Sequence, residues 1–144
     1  MDISALKPGE RTVEIRHPAT GLPLGVRVNV CSIDDERLKK LKREIMDERM
    51  KLEQRNKSMK AEDIERNAQR LLFTAARGWE WYNPTGGEGD EGYDADAMPF
   101  FNDEQPAFSQ ANFMQIIRQL PWFADQLHEE VGDTKSFFEN SKTN

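Results

Sequence analysis

Residues 61–82 read AEDIERNAQRLLFTAARGWEWY. Ile64, Ala68, Leu71, Leu72 and Ala75 recur at helical spacing and share one face, so a helix is predicted over residues 61–77. Gly78 follows as its C-terminal stop, and Trp79-Glu80-Trp81-Tyr82 comes directly after as a dense aromatic cluster. On this reading the stretch is helix followed by loop, and the chain is mainly α.

Upstream lies a second helical stretch, over about residues 35–57, which Ser32 or Asp34 can cap. Leu38, Leu41, Ile45 and Leu52 fall near heptad spacing, with Met46 and Met50 beside them. So narrow an apolar seam buries little, which predicts a helix that projects from the body or pairs with a second copy. Leu38, Leu41, Ile45 and Leu52 are therefore the candidates for self-assembly. Further back, residues 11–32 alternate in period two. Val13 and Ile15, then Leu24, Val26, Val28 and Val30, take one face, and Thr12, Glu14, Arg16, Arg27 and Asn29 the other. The connection His17-Pro18-Ala19-Thr20-Gly21-Leu22-Pro23 makes this a β-hairpin. A lone hairpin is marginal in water, so its apolar face needs a helix or a partner strand.

Downstream, residues 83–105 contain Gly86-Gly87-Glu88-Gly89-Asp90-Glu91-Gly92, then Asp94 and Asp96, with no basic residue. Such a composition offers little apolar burial against the entropy of ordering, so a flexible acidic loop is expected, pinned at Met98-Pro99-Phe100-Phe101. Ser109 caps a third helix over about 110–120, with Phe113, Ile116, Ile117 and Leu120 as its apolar face. Pro121 opens a fourth over about 121–131, carrying Trp122, Phe123, Leu127 and Val131, and Gly132 ends it. Asp133 or Thr134 can cap a last turn with Phe137 and Phe138. The expected organisation is a flexible N-terminus over 1–10, one domain over 11–138, and a fraying tail over 139–144. The fold class is mainly α: a short N-terminal β-hairpin and about four helices, with the acidic loop before the last two.

Composition narrows the function. The net charge is -6 and the pI about 5.0, which disfavours general binding to nucleic-acid backbones. The most basic point, Lys39-Lys40-Leu41-Lys42-Arg43, is neutralised by Asp35, Glu36, Glu44 and Asp47 within one or two turns. No apolar run approaches the roughly 20 residues that span a bilayer. Met1-Asp2-Ile3-Ser4 lacks the start of a signal peptide. The expectation is a cytoplasmic protein with neither nucleic-acid nor membrane partners. Cys31 is the single cysteine, so no intramolecular disulfide forms, and its place at a strand end suits a small buried hydrophobe. His17 and His128 are far apart and lack partners at ligand spacing. Asp90, Asp94 and Asp96 do not follow a calcium-loop pattern. No phosphate loop or nucleophile elbow occurs, so neither an enzyme nor a cofactor is expected.

The aromatic residues then matter most. Trp79 and Trp122 are expected in the core between the second, third and fourth helices. Trp81, Phe100, Phe101, Phe137 and Phe138 lie near loops or the chain end and suit a surface groove. As core and interface roles are compatible, the candidate partner-binding set is Trp81, Phe100, Phe101, Trp122, Phe123, Phe137 and Phe138.

The order of these features resembles the tail assembly chaperones of long-tailed, siphovirus-type bacteriophages. Val13-Glu14-Ile15-Arg16-His17-Pro18-Ala19-Thr20-Gly21 with Leu24-Gly25-Val26 is similar to their opening hairpin. Arg77-Gly78-Trp79 resembles the Gly-Trp step after their middle helix, and Phe108-Ser109-Gln110-Ala111-Asn112 their Phe-Ser-x-Glu-Asn cap, with Ala111 in place of Glu. Leu120-Pro121-Trp122, Gln126, Gly132-Asp133 and Phe137-Phe138 complete the match. The resemblance implies a chaperone of the host cytoplasm, absent from the mature virion, that forms homo-oligomers. It implies binding to the tape measure protein, keeping that long helical rod soluble, and assistance to assembly of the tail tube protein. Competing readings are a structural tail completion or connector protein of the virion and a small dimeric helical regulator.

Overall fold

The computed structural model describes residues 1–5 and 9–132. The expected last turn with Phe137 and Phe138, and the tail after it, lie outside the described residues. Ile3–Ala5 form a single 3-10 turn. Strands β1 (Arg11–Arg16) and β2 (Pro23–Val30) pair antiparallel, with Val13 opposite Val28. The Gly21 amide donates to the His17 carbonyl at 2.9 Å, and Gly21 takes the φ of 72° that closes the turn. Helices α1 (Glu36–Gln54) and α2 (Ala61–Ala75) follow. Then comes a third strand, β3 (Ala76–Trp81), which joins the other edge of β2 to give the antiparallel order β1-β2-β3. Helices α3 (Gln110–Gln119) and α4 (Pro121–Gly132) close the described chain.

The third strand corrects the expectation of a mainly α chain whose strands are confined to an N-terminal hairpin. The sheet has three strands, and β3 leaves α2 with no intervening residue. The physical reason lies in the residues read as loop. Trp79 stands opposite Val28 and Trp81 opposite Val26, so both indoles extend the apolar face of the sheet. Gly78 and Glu80 face Asn29 and Arg27 on the other side. Burial of two indoles on a pleated surface outweighs continuation of the helix. Gly78 is not a left-handed helix stop, since the positive-φ glycines do not include it. Helix α2 ends instead at Ala75, and the extended φ and ψ of Ala76, -76° and 136°, start the strand.

One face of the sheet presents Val13, Ile15, Val26, Val28 and Val30, all buried. Leu72 and Ala75 of α2, Phe113, Met114, Ile116 and Ile117 of α3, and Phe123, Leu127 and Val131 of α4 join them in one core. Phe73, Phe108, Phe113 and Trp79 interlock beside it, with ring centroids 5.2 to 6.2 Å apart. The Trp79 indole N–H donates to the Pro106 carbonyl at 2.9 Å, anchoring the far end of the acidic segment. The opposite face of the sheet is polar. Arg27 pairs with Glu14 at 3.1 Å and lies 3.9 Å over the Tyr82 ring, and the Tyr82 hydroxyl donates to Glu14.

Two features set the edges. The Gln126 side chain of α4 accepts from the Arg16 amide at 2.9 Å and donates to the Arg16 carbonyl at 2.8 Å, occupying the end of the β1 edge as a further strand would. Ser109 accepts from the Asn112 amide at 3.2 Å and caps α3. Polar contacts run through the acidic segment. Asn83 donates to the Asp94 carbonyl at 2.7 Å, Asp90 accepts from the Gly87 amide at 2.7 Å, and Phe101 bridges to Glu104.

Candidate protein-interaction surface

Helix α1 is capped by Asp35, one residue after Asp34 and three after Ser32, the two expected caps. Asp35 accepts from the Arg37 amide at 2.9 Å, whereas the buried Ser32 accepts from Asp34. The Asp35 carboxylate also lies 3.4 Å from Arg77 of β3, and Arg77 lies 3.7 Å from Glu10, so the root of α1 is tied to the sheet. Leu38 is 2% exposed and is the sole buried residue of α1. The helix runs on for about 24 Å beyond it, at 1.5 Å per residue.

The connection from α1 to α2 returns the chain alongside. Asn56 adopts a φ of 56°, its amide donates to the Glu53 carbonyl at 3.0 Å, and the Lys57 amide donates to the Leu52 carbonyl at 2.8 Å. This is a Schellman stop with asparagine where glycine is usual. Asn67, buried on α2, donates to the Met59 sulfur at 3.8 Å and accepts from Arg70 at 3.1 Å, holding the connection against α2.

The resulting helical hairpin has two unlike faces. One is charged and carries Glu48, Lys51, Arg55, Asp63, Arg66 and Arg70 around Leu52. The other is an open, mainly apolar groove of about 640 Å³. Ile45 and Met46 of α1, Met59 of the connection, and Ile64, Ala68 and Leu71 of α2 line it, with Lys42, Arg49 and Glu53 along its α1 wall. Its apolar side chains reach solvent: Met46 is 53% exposed and Ile64 58%. Met50, close by on α1, is 51% exposed. The groove-lining positions of α2 recur at i, i+4 and i+7, the spacing with which one helix receives another.

The residues singled out from the sequence distribute differently. Trp81 is half-buried on β3, its centroid 6.0 Å from Trp79. Phe101 and Trp122 are half-buried and packed against the core. Phe123 is 2% exposed. Phe100 is 61% exposed and stands apart in the acidic segment. Phe137 and Phe138 lie outside the described residues. Of the self-assembly candidates, Leu38 is core, Leu41 and Ile45 are half-buried with Ile45 in the groove, and Leu52 lines the charged face. Sequence reading missed Met46, Met59 and Ile64 as surface residues. The signal available was three of the chain's six methionines within residues 46–59, since methionine is favoured on adaptable binding surfaces.

Chemistry elsewhere is sparse. Burial, followed by the nearby Asp35 carboxylate, pushes the Cys31 thiol up to about 11, which suits a packing residue and not a nucleophile. The exposed His17 accepts through Nδ1 from the amides of Ala19 and Thr20, at 3.0 and 3.2 Å, and so shapes its own turn. His128 is exposed on α4. Among the described residues no group of three His, Cys, Asp or Glu is placed to hold a metal ion, and no helix is long and apolar enough to cross a membrane. Comparison with protein-family models, with curated proteins and with solved structures finds no match for this chain.

Proposed function

We propose that this chain is a tail assembly chaperone of a long-tailed bacteriophage. On this reading it acts in the host cytoplasm, binds the helical tape measure protein, keeps it soluble while tail tube subunits assemble around it, and is left out of the finished particle. The observation that carries the proposal is the solvent-open groove between α1 and α2, walled by Ile45, Met46, Met59, Ile64 and Leu71. An amphipathic client helix lays its apolar stripe into such a groove through i, i+3, i+4 and i+7 contacts. Methionine side chains re-pack around stripes of differing shape, which suits a long rod offering many similar sites. The ordered motifs from the His17-Pro18-Ala19-Thr20-Gly21 turn to Leu120-Pro121-Trp122 support the same family reading. This reading moves the binding surface from the aromatic carboxy-terminal half to the helical hairpin. Trp122 and Phe123 then support the core behind it.

The test is co-expression with the tape measure protein encoded by the same phage, scored by the fraction of that protein remaining soluble and co-purifying. Solubility that rises with this chain present is expected. A client equally insoluble with and without it would refute the proposal, as would recovery of this chain in stoichiometric amounts from purified virions.

A further inference from the structure

The charge of the molecule is divided unequally. Residues 36–75, which span the helical hairpin, hold 12 Lys and Arg against 8 Asp and Glu, a net of +4 in a chain of net -6. The remainder therefore carries -10, and residues 83–105 contribute seven carboxylates and no base to it. The apolar groove thus lies on a hairpin of net positive charge in an acidic protein. On the groove wall, Arg49 is paired with Glu53 at 3.1 Å, while Lys42 has no ion-pair partner among the described residues. From Lys42 to Glu53 the wall runs about 16 Å, which is three turns of a bound helix.

We infer that the groove takes an amphipathic helix whose apolar stripe is flanked by acidic residues. The inference rests on the reading of the groove as the client site, and adds the chemistry of the client segment. Ile64, Met46 and Leu71 meet the stripe, Lys42 meets a flanking carboxylate, and the +4 hairpin attracts the acidic helix while the -10 body repels it from other faces. A second copy of this chain fits less well. Pairing hairpin against hairpin sets +4 against +4. The acidic segment of another copy has no helical run beyond Ala95–Ala97 with which to fill an apolar groove. Nucleic acid would answer the charge but leave Met46 and Ile64 without a role.

The experiment uses the full chain and two labelled synthetic helical peptides of about five turns. Both share one Leu/Ala stripe, and their flanks are Glu in one and Lys in the other. Binding is followed by fluorescence anisotropy. The Glu-flanked peptide is expected to bind about tenfold more tightly, the difference between one and two well-placed charge contacts. That advantage shrinks as salt rises to about 0.5 M. Ile64→Asp is expected to abolish binding, and Lys42→Glu to remove the preference, each with an unchanged circular dichroism spectrum. Equal affinities, preference for the Lys-flanked peptide, or binding indifferent to Ile64→Asp would overturn the inference. So would a dimer that Ile64→Asp dissolves, or a short DNA duplex that displaces the peptide. If the peptides fail to discriminate while the tape measure protein is still kept soluble, the charge inference falls alone. If they discriminate but the tape measure protein stays insoluble, the chaperone reading falls alone.

Discussion

At the scale of single residues, Gly25 is the most constrained position in the sheet. It sits in β2 at a φ of 95°, and its carbonyl accepts from the Tyr82 amide at 2.9 Å. A Cβ there would overlap the Tyr82 carbonyl oxygen and stand 2.9 Å from both Pro84 and Pro99. Gly25→Ala is expected to cost about 3 kcal/mol, because left-handed strain and a backbone clash act together. Urea unfolding measures it, and a loss below about 1 kcal/mol would contradict this packing. Cys31 offers a second reading. Its thiol is held protonated by burial, with a folded pKa near 11 against an ordinary 9.0. A group whose pKa is raised on folding leaves stability intact below the unfolded value and reduces it as pH climbs from 9.0 towards about 11. Native protein should therefore react slowly with a thiol reagent at pH 8 and rapidly in denaturant, and Cys31→Ala should flatten the alkaline loss of stability. The strand-end position of Cys31 made its burial legible in the sequence. The close approach at Gly25 was not legible, because Tyr82, Pro84 and Pro99 reach it from more than 50 residues away along the chain.

At the scale of elements, β1, β2 and the four helices were legible because each carries its own period. Val13 and Ile15 alternate, Phe113, Ile116 and Ile117 follow the helical repeat, and Ser109 and Pro121 mark starts. The third strand was not. Its apolar alternation is only Trp79-Glu80-Trp81, it abuts α2 without a linker, and Gly78 imitates a helix stop. What makes the segment a strand is the open edge of β2, a tertiary fact. The two readings of Gly78 part experimentally. A left-handed cap would be weakened by any side chain. Gly78 instead has no positive φ, and nothing lies within 4 Å of an added Cβ. Gly78→Thr is expected to stabilise the protein by about 0.5 kcal/mol through strand propensity and reduced entropy of the unfolded chain. A fall in melting temperature would return Gly78 to the role of helix stop. The same limit hid the end of α1, where Asn56 does in a left-handed conformation what glycine usually does.

For the whole molecule, the arrangement separates the core from the open groove. The core is assembled from the sheet, α3, α4 and the C-terminal end of α2, where Leu72 and Ala75 are buried. The hairpin contributes Leu38 to it and then extends with Met46, Met50 and Ile64 in solvent. The narrow apolar seam on α1 predicts a helix that projects or pairs with a second copy, and within the chain that helix lies against α2. The aromatic candidates rest on residue type and on position near loops or the chain end, and Phe123 and much of Trp81 and Trp122 serve the core because a polar chain has few other large side chains to fill it. The groove itself was illegible because it needs α1 and α2 side by side, with Met59 between them. Replacing an exposed groove residue should therefore leave folding intact and remove function. Ile64→Asp is expected to change stability by no more than about 0.5 kcal/mol. If the proposed function holds, the most direct test pairs that variant with the wild type in co-expression with the proposed client, a phage tape measure protein, and measures how much of it stays soluble. The proposed function predicts soluble client with the wild type and aggregated client with Ile64→Asp at equal levels of the two chains. Client kept equally soluble by both chains would contradict it.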